Sequence, residues 1–578
     1  MGRRIGALWK YSGRYRYVLI LLPVVLLVQV LLQVRIPLLM GDMLDIGLHS
    51  GDIRTIMTQG LDMALTAAAL MLSGLLSSRL VSDWSAGVTE NLRNALFAKV
   101  QQLSESDMDR FGTASVLTRL STDMNYIRRG LGMFHSFIRN PMTVVITVAV
   151  TVHEYPQVSE IFLTGAGLFL IVNFFVIRFS VKHYRKLLRR YDDINAMLEE
   201  NITAQKTVKA FAMEKEEESK FNEKALFLRG ESRLAEGFAM LNEPLLNLVM
   251  DICILVIVLV SSRNIVSGSL QTGDFFCLIT YANQILYQIA MIGLIMVSIL
   301  NAGVAFERVL EIVDSEPSVK DGQTDEYDGK DASVVFENVS LSYHPEEETR
   351  KLALRDIDLR IEGGEFFGVI GSIGAGKTSM LNLILRFCEA TGGCVKVGSR
   401  DVRDYTQRAL RTRIGFVPQK SILFSGTIAD NLRWGNENAG DRDLVEAASI
   451  ACANDFIMAF PDGYNTVISQ GGTTLSGGQR QRLCLARALV KKPSLLILDD
   501  SFSAVDSRTE SSILKSLSEH LKGTTVILVS QRFSCVRNAD RIAVLDKGAV
   551  VDVGTHDELL ERCSIYREIH ESQKECME

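Results

Sequence analysis

Residues 366–378 read FFGVIGSIGAGKT, an apolar strand that runs into the pattern GxxxxGK[ST] and the start of a helix. Glycines in such a loop let backbone N–H groups turn towards phosphate oxygens at a helix N-terminus. Lys377 can reach the β- and γ-phosphates, and the Thr378 hydroxyl can ligate Mg²⁺. Further along, the apolar run LLIL ends in Asp499, a carboxylate suited to binding Mg²⁺ through water. These residues predict a nucleotide site.

The chain around this loop alternates between strand-like and helical stretches. The strand-like stretches are VVFENVSLSY, EFFGVIG, LLILDD, TTVILVS and RIAVLDKG. Such alternation is typical of a mostly parallel sheet with helices on its faces. The preceding stretch, DSEPSVKDGQTDEYDGKD, is acidic and contains Gly, Pro and Ser, as domain linkers do. We therefore predict a linker over 314–331 and an α/β P-loop nucleotide-binding domain over 332–578.

The first 313 residues have a different composition. The whole chain has 578 residues, 47% of them hydrophobic, and a net charge of −6. This composition excludes a disordered chain and argues against nucleic acid as a partner. Apolar runs long enough to cross a bilayer occur only before about residue 300, which predicts an all-α transmembrane domain over 1–313. Its six predicted spans lie near residues 17–40, 60–82, 134–152, 158–177, 243–261 and 274–300.

Lys and Arg near the ends of these spans predict their orientation. The N-terminal segment and the connections from span two to three and from span four to five are rich in basic residues, whereas the remaining connections are short and basic-poor. Basic connections stay on the cytoplasmic side. We therefore predict a multi-pass protein of the plasma (inner) membrane with both termini in the cytoplasm. The two long inner connections have helical periodicity, and segments that couple the two domains are expected near 114–121 and 203–213.

A second motif narrows the nucleotide chemistry. Residues 475–479, LSGGQ, are followed by RQRLCLARAL and resemble the signature of ATP-binding-cassette (ABC) proteins. Gln419 in GFVPQ matches that family's Q-loop, and Tyr343 in VSLSY stands where the family stacks an aromatic ring on adenine. The stretches RFGTASVLTRLSTDM, TVKAFAMEKEEESKF and AGVAFERVLEIVD resemble the intracellular loops and last membrane helix of ABC exporters. The resemblance implies a half-transporter, with one membrane domain fused to one cassette.

The resemblance also implies that two cassettes stack head to tail, with each ATP held between the P-loop of one chain and the signature of the other. A dimer is then obligatory. The signature itself begins a helix, whose free N–H groups and dipole favour an anion. The residues expected to bind ATP are Tyr343, Gly371, Ser372, Ile373, Gly374, Ala375, Gly376, Lys377, Thr378, Ser379, Gln419, Ser476, Gly477, Gly478 and Gln479. Those expected at Mg²⁺ are Thr378, Gln419 and Asp499.

Two catalytic positions depart from the family. Asp500 replaces the usual Glu after the Mg²⁺-binding Asp, and its carboxylate is one methylene shorter. Gln531 replaces the usual switch His and cannot carry a proton or a positive charge. Gln470 also stands where exporters commonly have Glu. This pattern resembles the degenerate-site subunit of heterodimeric bacterial multidrug exporters. It implies a partner half-transporter that carries the missing Glu and His.

Polar residues within the apolar spans are candidates for the translocation path, because polar groups in lipid usually face a bundle interior or a water-filled cavity. For Asp251 two interpretations stay open, lining the cavity or forming a structural hydrogen bond between helices. The candidates are Gln29, Gln33, Asn247, Asp251, Asn283, Gln284 and Gln288.

The predicted function is ATP-driven export of amphipathic small molecules, such as drugs or lipids, by one half of a heterodimer in the lipid bilayer. The chain's own P-loop site is expected to be weakly active or inactive as an ATPase. Export of a peptide, import of a siderophore by an exporter-type fold, and a non-transporting membrane sensor that only binds ATP are alternatives.

Overall fold

The computed structural model describes residues 2–47, 53–156, 158–326, 332–343 and 352–575. The chain forms two compact units. One consists of Met1–Gln101 with Ala114–Ser315, and the other of Gln102–Thr113 with Glu316–Glu578. The boundary after Ser315 lies next to the predicted end of the first domain. Inclusion of Gln102–Thr113 in the second unit does not follow from the sequence pattern.

Nearly all of the described residues before 314 are helical. The helices are α1 (Gly2–Ser12), α2 (Arg16–Asp42), α3 (Ile53–Val100), α4 (Glu105–Phe111), α5 (Thr113–Thr118), α6 (Met124–Gly132), α7 (Phe134–Glu154), α8 (Ser159–Thr203), α9 (Gln205–Ala210), α10 (Glu214–Met240), α11 (Asn242–Val266) and α12 (Thr272–Val313). Of these, α4 belongs to the second unit.

Five of the predicted spans coincide with helices long and apolar enough to cross a membrane, and their outward side chains suit lipid. Leu61, Leu75 and Leu259 are each at least 60% exposed, which would be costly in water. The remaining predicted span, 158–177, lies in α8, where many side chains fall outside the described residues. The five segments are Gly6–Ile46, Ile53–Val100, Thr113–Glu154, Asn247–Val266 and Thr272–Val313.

Hydrogen bonds between helices hold buried polar groups in this unit. The Tyr281 hydroxyl in α12 donates to the Val34 carbonyl of α2 at 2.8 Å, and the Cys277 thiol donates to the Pro37 carbonyl at 2.9 Å. Because lipid offers no alternative partner, such bonds fix how the helices pack. The last turns of α12 are held by charges: Arg308 Nη2 lies 2.5 Å from Oδ1 of the buried Asp123.

The second unit is an α/β domain. Its strands are β1 (Val334–Leu341), β2 (Leu354–Ile361), β3 (Phe366–Gly371), β4 (Gly392–Val397), β5 (Arg400–Asp401), β6 (Ile414–Val417), β7 (Gly426–Thr427), β8 (Val467–Ile468), β9 (Leu495–Asp499), β10 (Thr525–Val529), β11 (Arg541–Asp546) and β12 (Ala549–Gly554). Its helices after residue 332 are α13 (Lys377–Ile384), α14 (Gln407–Arg413), α15 (Ile428–Arg433), α16 (Asp441–Ile450), α17 (Asn454–Met458), α18 (Gly477–Val490), α19 (Ser507–His520), α20 (Phe533–Val536), α21 (His556–Arg562) and α22 (Ser564–Glu575).

Two sheets organise this domain. A six-stranded sheet has the order β12-β11-β3-β10-β9-β6 and is parallel except for β12, and a four-stranded antiparallel sheet has the order β2-β1-β4-β5. In β9, Leu495 and Ile497 belong to one hydrophobic core and Leu496 and Leu498 to another. Because successive strand residues point to opposite faces, both faces of the larger sheet are covered. The predicted α/β fold class is confirmed.

A short helix from the first inner connection packs against the cassette. Oδ2 of Asp107 in α4 accepts hydrogen bonds from the Ser318 backbone N–H at 3.0 Å and the Ser318 hydroxyl at 3.1 Å. The same carboxylate accepts from Ser104, which caps α4. The segment Gln102–Thr113 therefore belongs to the same unit as the cassette, whereas 114–121 lies in the first unit. A capped helix supplies this contact, which apolar periodicity does not reveal. Coupling through 114–121 and 203–213 stays a prediction.

The described part of the predicted linker is also bound to the cassette. The Gly322 N–H donates to the Tyr405 carbonyl at 3.1 Å, and the Thr324 N–H donates to the Asp404 carbonyl at 3.0 Å. Residues 316–326 are therefore part of the second unit. The rest of the predicted linker, 327–331, lies outside the described residues.

Candidate nucleotide site and membrane cavity

Three neighbouring strands bring the predicted catalytic segments to one edge of the large sheet. In the order β3-β10-β9, Val369 pairs with Val529, and Val529 pairs with Asp499. The Asp500 N–H donates to the Val529 carbonyl at 2.9 Å. Since parallel strands end at the same edge, the P-loop, the Asp499–Asp500 pair and the segment of Gln531 lie side by side.

The P-loop adopts a conformation that requires glycine. Gly374 has φ of 80° and Gly376 has φ of 96°, which L side chains rarely adopt. A Cβ at Gly376 would lie 2.7 Å from Leu354 Cδ2. The loop then enters α13 at Lys377. Successive backbone N–H groups in such a turn form a concave anion site.

Lys377 is held inside this loop. Its Nζ donates to the Gly371 and Ser372 carbonyls, each at 2.8 Å, and 8% of the residue is exposed. Burial lowers the pKa of Lys377, while the charges of Asp500 and Asp499 act in the opposite direction. Because the Lys377 ammonium group already lies at the loop, a change of its side-chain conformation is enough to reach a bound phosphate.

Two oxygen ligands suited to Mg²⁺ lie together at the start of α13. The Thr378 hydroxyl donates to Asp499 Oδ2 at 3.0 Å, and Asp499 is 3% exposed. Burial raises the pKa of Asp499. Among the described residues no group of three or more His, Cys, Asp or Glu could hold a metal ion. The pair therefore fits Mg²⁺ that also takes phosphate and water oxygens, as nucleotide-bound Mg²⁺ does.

Asp500 occupies a tight turn directly after β9. Its φ is 45°, a left-handed conformation that Asp tolerates better than most residues. Gln419 Nε2 lies 3.5 Å from Asp500 Oδ2. Gln419, a predicted Mg²⁺ ligand, thus lies beside the predicted catalytic carboxylate.

The C-terminal helix holds the segment of Gln531. Gln573 in α22 donates from Nε2 to the Gln531 carbonyl at 2.7 Å and accepts at Oε1 from the Phe533 N–H at 3.0 Å. The backbone of the switch position is therefore fixed by a residue 42 positions away. Sequence reasoning missed Gln573, because a single Gln in a polar terminal helix carries no motif.

Ser476 caps the signature helix α18. Its hydroxyl accepts from the Gln479 N–H at 3.3 Å, and its own N–H donates to Gln479 Oε1 at 2.9 Å. Ser476 itself is exposed, and Gly477 and Gly478 in the first turn of α18 are half-buried. In the part of the chain that the structure describes, no hydrogen bond joins residues 371–378 to 476–479.

Gln481, which the sequence analysis passed over, connects the signature helix to the loop after Asp500. Its Nε2 donates to the Ser503 hydroxyl at 2.9 Å, and its Oε1 accepts from the Ala504 N–H at 3.0 Å. The residue is 5% exposed. These two hydrogen bonds fix the loop at residues 503–504 to α18.

The predicted adenine-stacking residue is near the P-loop helix. The Tyr343 hydroxyl donates to the Ser379 hydroxyl at 3.1 Å, and the residue is 40% exposed. Its side chain is therefore partly exposed beside the start of α13.

Five of the predicted path residues surround one cavity of about 670 Å³ in the first unit. Gln288 is 4% exposed, and its Oε1 has no hydrogen-bond partner. Gln284 Nε2 is also buried without a partner. Arg139 of α7, which the sequence analysis passed over although a charge within an apolar span is a visible signal, also lines the cavity. The predicted residues around the cavity are Gln33, Asn247, Asn283, Gln284 and Gln288.

Gln29 and Asp251 lie elsewhere. Gln29 is buried between α2 and α3, where its Oε1 accepts from the Ser77 hydroxyl at 3.4 Å. Asp251 is exposed on α11 and is not among the residues that line the cavity. One helical turn separates Gln29 from Gln33, yet the two side chains meet different surroundings because α2 packs against several helices.

Two family descriptions match the chain. Residues 19–289 match the ABC transporter transmembrane region, and residues 354–503 match the ABC transporter family. The chain is 31% identical to the uncharacterized ABC transporter ATP-binding protein YfiB of Bacillus subtilis over 95% of both proteins. It is also 31% identical to an ATP-dependent lipid A-core flippase of Syntrophus aciditrophicus, over 87% of this chain and 82% of the flippase.

A solved structure shares the fold. The structure of a bacterial Atm1-family ABC exporter with ATP bound superimposes with a TM-score of 0.81 at 24% identity, covering 97% of this chain and 99% of that one. The order of a helical transmembrane domain followed by a nucleotide-binding domain is therefore shared.

Proposed function

Because this chain belongs to the ABC transporter family, as an exporter half-transporter with one cassette, we propose that it is the degenerate-site half of a heterodimer. In this role it exports amphipathic small molecules across the plasma membrane, using ATP and Mg²⁺. Both of its termini lie in the cytoplasm, as the basic inner connections predict.

The proposal rests on the difference between the phosphate-binding and the catalytic residues at one edge of the six-stranded sheet. Lys377, Thr378 and Asp499 keep the contacts of a phosphate and Mg²⁺ site. Beside them, the shorter side chain of Asp500 replaces the family's Glu, and Gln531 replaces its His. A carboxylate displaced by about 1 Å from the attacking water can cost roughly 100-fold in rate.

The two nucleotide sites of the heterodimer then differ. The site built on this chain's Lys377 and Asp499 binds ATP and hydrolyses it slowly. The competent site combines the partner's P-loop, Glu and His with this chain's Ser476–Gln479. The capped N-terminus of α18 supports this role, because Ser476 is exposed there and a helix N-terminus favours an anion.

The membrane cavity supports an amphipathic substrate. Amide side chains and Arg139 share its wall with Met250, Leu286 and Ala290. One curated relative is named as a lipid A-core flippase, which agrees with an amphipathic cargo. Peptide export, siderophore import and an ATP-binding sensor remain alternatives.

The test is ATP hydrolysis by the purified full chain, alone and with its co-purified partner half-transporter. We expect little turnover by this chain alone and substrate-stimulated turnover by the pair. Replacing the partner's catalytic Glu should abolish the activity of the pair. Strong hydrolysis by a verified homodimer of this chain would overturn the proposal.

A further inference from the structure

The cavity in the first unit contains a positive charge whose role neither the fold nor the family explains. Arg139 lies on α7 and lines the cavity together with Asn247, Gln284, Tyr287 and Gln288. None of the described residues around the cavity is acidic. An arginine in a membrane span is costly, and such residues usually pair with an opposite charge or serve a substrate.

One atom of the Arg139 guanidinium group, Nε, is buried without a hydrogen-bond partner. Because Nε is buried and Arg139 lines a cavity with no acidic residue among those described, an acceptor in that cavity would satisfy this atom.

Two amide side chains around the cavity also have buried polar atoms without hydrogen-bond partners. Gln284 Nε2 and Gln288 Oε1 are buried without partners on the same wall. They lie one helical turn apart on α12, so both face one region of space. A buried polar group without a partner is expensive, and a ligand with acceptor and donor atoms would satisfy all three groups.

We propose that this cavity binds the anionic headgroup of an amphiphile, with Arg139 as the residue that selects its charge. The headgroup class is a phosphate or another oxyanion that carries or adjoins hydroxyl groups. Oxyanion oxygens accept from Arg139 and Gln284, and a hydroxyl donates to Gln288 Oε1. Arginine suits this task because its planar donors match oxyanion geometry.

The cavity also offers a place for the apolar tail. Met250 and Leu286 lie on its wall beside the polar groups. Arg139 and Asn247 each stand five residues after the first residue of their helices, Phe134 and Asn242, or ~7.5 Å along the helix axis. In the orientation proposed above, both lie in the cytoplasmic halves of their spans, within the inner leaflet.

This inference rests on the proposed export function for its physiological meaning, but its test does not require ATP. The full chain, alone and with its co-purified partner, is placed in phosphatidylcholine nanodiscs. Binding of dodecyl phosphate is measured without nucleotide, with dodecyl maltoside, dodecyltrimethylammonium and inorganic phosphate as competitors. We expect dodecyl phosphate to bind at least tenfold more tightly than the neutral or cationic amphiphile. Inorganic phosphate should compete poorly.

Arg139→Gln should weaken dodecyl phosphate binding about tenfold or more, as loss of a charge-assisted hydrogen bond does, and leave dodecyl maltoside binding within about twofold. Arg139→Lys should retain most of the affinity, because it keeps the charge. The matched control is Arg263→Gln, which removes an exposed arginine at the end of α11 and should change neither affinity.

Equal binding of anionic and cationic amphiphiles by the wild-type chain would overturn the inference, as would unchanged dodecyl phosphate binding in Arg139→Gln. Equally strong competition by inorganic phosphate would contradict the requirement for an amphiphile. A chain that binds dodecyl phosphate through Arg139 but hydrolyses ATP well as a homodimer would overturn the heterodimer proposal and leave this inference standing.

Discussion

The phosphate-binding side and the catalytic side of the nucleotide site differ although they share one sheet edge. On the phosphate-binding side, Lys377 and the Thr378–Asp499 pair make the contacts expected of a P-loop. On the catalytic side, Asp500 has a shorter side chain than the family's Glu and Gln531 cannot carry the charge of its His, and we propose that both changes slow hydrolysis. Binding a nucleotide and hydrolysing it have different structural requirements. Binding uses backbone geometry, whereas hydrolysis needs one well-placed carboxylate.

The largest expected effect concerns the signature of this chain, which in the proposed heterodimer serves the partner's competent site. Ser476→Arg places a large cation where a small hydroxyl and backbone donors are needed. We expect hydrolysis by the heterodimer to fall about 100-fold or more, as loss of an anion-stabilising donor does. Ser512→Arg, on the exposed surface of α19, is the control and should leave turnover unchanged. Near-normal turnover with Ser476→Arg would refute the assignment.

The next effect tests whether the phosphate-binding side still binds. Lys377→Ala removes the cation held by the Gly371 and Ser372 carbonyls. We expect the affinity of the full chain for a fluorescent ATP analogue to fall roughly 10- to 100-fold, the range for a lost charge-assisted hydrogen bond. Lys522→Ala, an exposed lysine outside the site, should bind normally. If Lys377→Ala binds the ATP analogue as tightly as the wild-type chain, the phosphate-binding side is degenerate too. The proposed difference between the two sides would then be wrong.

A smaller effect is expected on the catalytic side. Asp500→Asn removes a carboxylate that is already short, so turnover by the heterodimer should fall about tenfold or less, which is under ~1.4 kcal/mol of barrier. Asp500→Glu alone should not produce full activity, because Gln531 still cannot carry a charge. The double variant with Gln531→His should be more active than either single variant. A loss with Asp500→Asn as complete as that with Ser476→Arg would identify Asp500 as a working catalytic base.

The smallest effect lies outside the site, where α4 is tied to the cassette. Burial acts to raise the pKa of Asp107, but hydrogen bonds from Ser318 and Ser104 outweigh it and lower the pKa. The ionised carboxylate therefore stabilises the fold above its ordinary pKa of about 4, and this contribution is lost as the pH falls through the lower folded-state pKa.

We expect Asp107→Asn to destabilise the full chain by about 1 kcal/mol at pH 7, as lost capping contacts do. In thermal unfolding the difference from wild type should shrink as the pH approaches 3. Asp109→Asn, an exposed carboxylate in the same helix, is the control. A difference that persists unchanged at pH 3 would show that the charge of Asp107 is not what stabilises this contact.

Much of the nucleotide site could be predicted because its determinants are local. Glycines that permit a left-handed turn, a Lys and Thr at the start of a helix, and Ser476 as an N-cap each act within a few residues. The apolar runs likewise predict membrane helices by themselves, since every backbone group in lipid must be satisfied within its own segment. Asp500 and Gln531 also stand out in the sequence, because their motifs fix their positions.

Only the tertiary structure decided which distant residues meet. Gln573 holds the backbone of Gln531, and Asp107 accepts from Ser318. Arg139 lines the same cavity as the amides of α12, whereas Gln29 lies against Ser77. None of these contacts has a sequence period or motif. They depend on the packing of elements that are tens to hundreds of residues apart in the sequence. The partner of a buried polar side chain is then decided by which donors and acceptors the packing brings next to it.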